Sequence, residues 1–296
     1  MGSEFEPIVP AYEKIEGGLL GNVRLVWKSF TTSLSLLENA RLAFPLLMYF
    51  VIKLCIALLY LVSVREPLSS FWAIFLPGTS GEVVSHYPEH LLLMQVILRR
   101  LDIFLEIFVH VLFQAVTIAL VAAALAGERK TLGSGFRLSA SRYPHLIGTV
   151  FLSSVSIQVC VLAPDLLLRH LLGPGSGEIA TAGAIILGLF AQAFFLYSIP
   201  AIIVTRDGLF RAIRKSFSLT GRTLLYTYLL VGIPFILTVP TLLLSFKTRL
   251  IAFRLSPEVL IYVLLASELM QLIATYLIVS ASTVTYIRRS ETEGTE

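Results

Sequence analysis

Six stretches of this chain are each about twenty residues long and almost wholly apolar, and no other feature constrains its fold as strongly. They cover residues 42–64, 101–126, 146–168, 179–204, 223–244 and 259–287. A backbone in lipid must satisfy its own hydrogen bonds, and about 20 helical residues span a hydrocarbon core. Runs of this length exceed a barrel strand, so the reading is an all-α integral membrane protein with six transmembrane helices. Charged residues make up 14% of the 296, against about 25% in soluble domains. Mean hydropathy is +0.83. What remains between the runs is too short for a soluble catalytic domain.

The polar segment before residue 42 lacks the shape of a signal peptide. Met1-Gly-Ser-Glu-Phe5 reads as a vector-derived scar. Cys55 and Cys160 lie inside apolar runs and read as small buried side chains, with no disulfide framework.

The polar connectors follow a pattern: a basic elbow, then two apolar runs, three times over. The elbows are GNVRLVWKSF (21–30), TLGSGFRLSASR (131–142) and GLFRAIRKSFSLTGR (208–222). Arg137-Leu138-Ser139 aligns on Arg214-Lys215-Ser216, 77 residues later, and Gln114, Gln192 and Gln271 follow at intervals of 78 and 79. A period this long indicates one supersecondary unit used repeatedly. The repeats are 17–126, with an outer-loop insertion at 65–100, then 127–204 and 205–287. A tail at 288–296 is expected to be disordered, and the whole forms one membrane domain. The three glutamines are expected to form a polar layer about a pseudo-threefold axis, with Ala119, Ala123, Gly127, Ala184 and Gly188 permitting close helix approach.

With both termini on one side, 15 of the 23 Lys and Arg residues gather there and 7 lie opposite, Lys53 being within a span. Positive charge is retained in the cytoplasm, so the termini and elbows are expected there, in a bacterial inner membrane. Membrane-surface contacts are then Arg24, Lys28, Arg129, Lys130, Arg137, Arg142, Arg211, Arg214, Lys215 and Arg222, each contributing about 1 kcal/mol on anionic lipid. In elbow three, Leu209, Ile213, Phe217 and Thr220 share a helix face while Arg211, Arg214, Lys215 and Ser218 fall elsewhere. Such a helix lies in the interface plane. The elbows serve either as topological anchors or in recognition of anionic lipid or a membrane-protein partner.

Elbow three and its approach also carry a family resemblance. Pro200-Ala-Ile-Ile-Val204, Asp207-Gly208, Ala212, Arg214-Lys215-Ser216-Phe217, Leu219 and Arg222 resemble polytopic bacterial proteins related to the membrane domain attached to some glycerophosphodiester phosphodiesterases. The match covers residues 180–245. Elbow two departs from it at Gly135 and Ser139. The resemblance implies six helices joined by short amphipathic connectors, and a membrane module without hydrolysis.

Ionisable side chains at membrane depth are costly, which makes them functional candidates. Asp102, Glu106, His110 and Gln114 recur every four residues and share one stripe of an ideal α-helix. Glu268, Gln271 and Thr275 share another. Lys53 lies near the middle of the first run, Gln158 and Asp165 in the third, Gln192 in the fourth. Lys53, His110 and Glu268 fall at similar depth. The expected polar centre is either a satisfied network, with Lys53 paired to Glu268 or to Glu106, or a hydrated path. Pro164, Pro234 and Pro240 are expected to kink their helices.

Other motifs point nowhere. His86-Tyr-Pro-Glu-His90 has a zinc-peptidase spacing, but Pro88 prevents a continuous helix from His86. Phe71–Pro77 reads as an interfacial aromatic stretch, and Gly173-Pro-Gly-Ser-Gly177 as a hairpin linker rather than a phosphate loop. No catalytic group, metal or cofactor is called for, and the basic residues suit a membrane surface rather than nucleic acid. The functional readings, in order, are a lipid- or partner-organising scaffold with homo-oligomerisation open, a transporter or channel for a small solute or lipid, and a lipid-modifying membrane enzyme using Glu106, His110 and Glu268.

Overall fold

A computed structural model describes residues 19–63, 89–172 and 177–293. The N-terminal scar, the Phe71–Pro77 stretch, His86–Pro88, Gly173–Ser176 and the last three residues lie outside it, as do the side chains of Pro164 and Asp165. All described regular structure is helical: α1 (Leu19–Leu36), α2 (Ala40–Val62), α3 (Glu89–Phe104), a π-helical turn (Leu105–His110), α4 (Val111–Leu125), α5 (Leu132–Ser141), α6 (Tyr143–Leu172), α7 (Gly177–Phe195), α8 (Ser198–Val204), α9 (Leu209–Arg222), α10 (Leu224–Phe246), α11 (Thr248–Arg254) and α12 (Val259–Glu293).

Among the described residues, six helical segments are long and apolar enough to cross a membrane: Ala40–Val62, His90–Leu125, Tyr143–Ala163, Thr181–Val204, Leu224–Leu244 and Val259–Arg289. They make the chain a polytopic membrane protein. Large apolar side chains on them stay exposed, such as Leu59 (58%), Val159 (60%) and Ile236 (64%), where lipid is the solvent.

Two of these segments differ from the sequence reading. Part of the expected outer insertion is helix, because Leu91, Met94, Ile97 and Leu98 recur at helical spacing and are buried. Arg99 and Arg100 therefore lie on a helix, exposed. The fourth segment is two helices, α7 and α8, broken at Leu196–Tyr197. Pro200 explains the break: it lacks the N–H that would bond the Leu196 carbonyl, and its ring crowds that carbonyl. Pro234 and Pro240, in contrast, lie inside the continuous α10. At the other end of the chain α12 continues through Arg288 and Arg289 to Glu293.

The chain forms two compact units. The first takes residues Met1–Ala43, Val111–Ile233 and Leu277–Glu296. Its core joins Val111, Ala115 and Ile118 of α4 to Tyr197, Ala201 and Ile202 around α8, Ala212 and Leu219 of α9, and Val279 and Tyr286 of α12. Small residues allow close packing: a Cβ on Gly188 of α7 would stand 3.3 Å from Val161 Cγ2 of α6. The buried polar run Ser280–Thr285 satisfies itself, with Ser282 and Thr283 donating to Val279 O and Thr285 to Ala281 O. Gly127 ends α4 at φ +70, a conformation glycine adopts freely. The Thr131 side chain then accepts from Ser134 N to cap α5.

The second unit takes Phe44–His110 and Pro234–Tyr276. Tyr60, Met94 and Ile97 form one buried cluster, all at 0% exposure. Leu91, Ile251, Leu260 and Val263 form a second. Tyr60 donates its hydroxyl to His90 O at 2.7 Å, joining α2 to the start of α3.

Candidate functional site

The second unit contains a charged centre built from α2, α3 and α12. Lys53, 8% exposed, places Nζ 2.6 Å from Glu268 Oε2 and 3.0 Å from Asp102 Oδ1. The Lys53–Glu268 pairing anticipated from the sequence is thus present. The other anticipated partner, Glu106, is not: Asp102 takes that place, and Glu106 is exposed.

A π-helical turn follows Asp102. Between Leu105 and His110 the chain winds with i→i+5 bonding, adding a residue to the turn. An ideal α-helix would keep Asp102, Glu106 and His110 on one stripe. Over the whole turn the wider winding brings His110 back toward the face of Asp102, at 6% exposure, while Glu106 lies nearby without pairing to Lys53. There His110 stacks on Tyr49, with ring centroids 4.4 Å apart and planes 15° apart. Lys53 Nζ also lies 5.9 Å from the Tyr49 ring centroid, so one aromatic ring separates the ammonium from the imidazole.

The ion-pair contacts of Lys53 are with Asp102 Oδ1 and Glu268 Oε2. Their other oxygens, Oδ2 and Oε1, accept no hydrogen bond from any described residue. Both carboxylates are partly exposed, 31% and 17% at the side chain, onto a cavity of about 290 Å³. Its polar lining is Arg99, Asp102, Thr238, Ser267, Glu268 and Gln271, and its apolar walls include Leu98, Phe235, Leu242, Val263 and Leu264. Two further cavities of about 20 Å³ border Lys53, one touching His110, Gln271 and Thr275. Each has room for about one water.

Of the residues expected at a polar centre, the fold therefore gathers Lys53, Asp102, His110, Glu268 and Gln271. Glu106 belongs to the same unit but is not an ion-pair partner of Lys53. Gln114, Gln158 and Gln192 belong to the other unit; Gln158 is exposed and the other two are half-buried. Among the described residues no group of three His, Cys, Asp or Glu side chains could hold a metal ion. Cys55 is exposed on α2 rather than buried, and Cys160 is half-buried.

In the first unit, α9 is bound by its hydroxyls to the α7–α8 break. Ser216 Oγ donates to Phe194 O at 2.6 Å and accepts from Tyr197 N at 3.1 Å, while Thr220 Oγ1 donates to Ala193 O at 3.0 Å. Ser198 Oγ bonds Phe195 O. The backbone groups freed by the break thus find partners, as buried polar groups must. The inward face of α9 is Ala212, Ser216, Leu219 and Thr220. Thr220 was expected on the lipid face; its hydroxyl instead belongs to this lock. Phe210 (80%) and Phe217 (42%) remain exposed, Phe217 packing edge-on to Phe195.

Asp207, to which the sequence reading gave no role beyond the motif, organises the turn into α9. It is 7% exposed and accepts from Lys215 Nζ at 2.6 Å and from Thr205 Oγ1, itself 3.0 Å from Tyr286 OH. Arg211 Nη1 lies 4.0 Å away. Lys215, expected among lipid headgroups, is therefore held by a carboxylate. Arg206, preceding Asp207, has φ +56, uncommon without glycine. Arg24, Arg129, Lys130, Arg137, Arg214 and Arg222 are exposed, and Lys28 and Arg142 are half-buried. Lys130 lies 3.8 Å from Glu128 in an exposed pair of little energetic weight.

A carboxylate's role here could have been read only by knowing which cation folds back on it, information that spacing does not carry. No family model matches the chain, and neither the curated proteins nor the solved structures contain a match to it.

Proposed function

We propose that this chain is a non-catalytic membrane module that holds anionic lipid at the cytoplasmic face and organises lipid or a partner membrane complex. The observation that carries it is the outward face of α9. Arg211 is 77% exposed at the side chain, Arg214 and Arg222 are exposed, and Phe210 and Phe217 lie among them. Cations beside aromatic rings suit phosphates above an acyl boundary. The opposite face is fixed by Ser216 and Thr220, so the basic face is held in one orientation.

The reading includes a bacterial inner membrane with both termini cytoplasmic, and three repeats of an elbow helix and two spans. What supports the repeat is a buried serine in each elbow helix: Ser29 (3%), Ser139 (0%) and Ser216 (0%). Ser29 and Ser216 share the local sequence Lys-Ser-Phe. The family resemblance favours the same class of module. The test is to purify Arg211→Glu/Arg214→Glu in mild detergent and count retained phosphatidylglycerol by mass spectrometry. A severalfold loss, with Lys215→Gln changing little, is expected; retention equal to the parent protein removes the lipid role.

The cavity of the second unit favours a second reading, passage or binding of a small solute at the charged centre. A cationic methanethiosulfonate reagent checks it, applied to Ser267→Cys in a Cys55→Ala/Cys160→Ala background. Water in the cavity gives labelling, and an inert Ser267→Cys discards the reading.

A further inference from the structure

We propose that the cavity beside Lys53 is a binding site for a primary alkylammonium group, received by Asp102 Oδ2 and Glu268 Oε1. The inference rests on the second reading only for its location, since binding requires no passage.

Lys53 itself shows that the two carboxylates accept an ammonium together: one Nζ reaches both, at 2.6 and 3.0 Å. That contact uses one oxygen of each. The remaining two oxygens have no donor among the described residues, and both side chains are exposed onto the cavity. Lys53, Asp102 and Glu268 together carry a net charge of −1, and Arg99 is the other charged side chain lining the cavity. A net negative charge only partly open to water attracts a further cation. Arg99 lines the cavity but is exposed and makes interactions of its own.

The cavity's size and walls select the kind of cation. About 290 Å³ is many times the ~10–15 Å³ that one water needs, so a bare metal ion would lack ligands on most sides. An alkylammonium fills it differently. Its N–H groups meet the carboxylates, Ser267 and Gln271, while its chain lies against Phe235 and Leu242. The same head occurs on free amines and on ethanolamine lipids.

The experiment uses the full chain in phosphatidylcholine nanodiscs, titrated calorimetrically with butylammonium. Saturable one-to-one binding is expected, weakened about tenfold or more in Asp102→Asn and in Glu268→Gln. Tetramethylammonium, which has no N–H, should bind more weakly by a similar factor. Ser267→Leu should also abolish binding; it occupies the cavity and leaves the Lys53 pairs intact, so it keeps the test valid if the charge variants do not fold. Repeating the titration in discs containing phosphatidylethanolamine separates the two sources. Competition identifies the lipid headgroup, and an unchanged isotherm identifies a free amine. The proposal is overturned by the absence of saturable binding in phosphatidylcholine, or by binding that Ser267→Leu leaves unchanged. Labelling of Ser267→Cys without amine binding would leave the hydrated-cavity reading standing and remove this one.

Discussion

Removing Glu268's charge should have opposite effects depending on whether Lys53 is present. Glu268→Gln alone costs the 2.6 Å charged hydrogen bond, about 1.5–3 kcal/mol, but Lys53 keeps Asp102 at 3.0 Å. Lys53→Met is worse, because it leaves two carboxylates facing one another in a membrane-spanning unit. Removing one partner of a buried pair costs about 3–5 kcal/mol. Adding Glu268→Gln to Lys53→Met removes one of the stranded charges, so it should restore about 1–3 kcal/mol. Asp102 then remains alone, 31% exposed and partly solvated. Adding Asp102→Asn as well should bring stability to within about 1 kcal/mol of the parent protein. The order of stability is parent, triple variant, Glu268→Gln, double variant, Lys53→Met. Equilibrium unfolding in mixed micelles with increasing dodecyl sulfate, followed by circular dichroism, measures it. If Glu268→Gln destabilises the Lys53→Met protein as much as the parent, the three groups are not coupled and the charged centre is wrongly read.

Three further outcomes follow from the first unit. Ser216→Ala strands Phe194 O and Tyr197 N and should cost about 2–4 kcal/mol, whereas Ser139→Ala should be neutral or stabilising, because Ser139 Oγ is buried without a hydrogen-bond partner among the described residues. Thermal melts showing equal losses would contradict this account of the α7–α8 break. Arg206→Gly relieves a left-handed conformation and should raise stability by up to about 1 kcal/mol in the same assay; a loss would mean the Arg206 side chain makes a larger contribution than the strain. Asp207→Asn should release Lys215, read as faster acylation of that lysine by an N-hydroxysuccinimide ester in peptide mass spectrometry. An unchanged rate would show that the 2.6 Å pair does not protect it.

Much of this arrangement was legible in the chain. Leu91–Leu98 could have been assigned to a helix from its own periodicity; the boundary drawn after Arg100 hid it, although two exposed cations do not end a helix. Pro200 likewise announces the break before α8, because a missing N–H is a local fact. The pairing of Lys53 with Glu268 followed from similar depth. What could not be read was the choice of Asp102 over Glu106, since four-residue spacing makes them equivalent on an ideal helix.

The sequence by itself determined the solvent and the class of fold: runs of about twenty apolar residues leave a backbone in lipid no alternative to helices. It also determined that polar side chains would have to find partners inside those helices. The tertiary structure decided which partners. One π-helical turn returned His110 to the face of Asp102, Asp207 took Lys215 as its ion-pair partner at the surface, and the hydroxyls of α9 closed a break in a neighbouring helix. These outcomes depend on the rotation of one helix against another, a quantity set by packing across residues far apart in the chain.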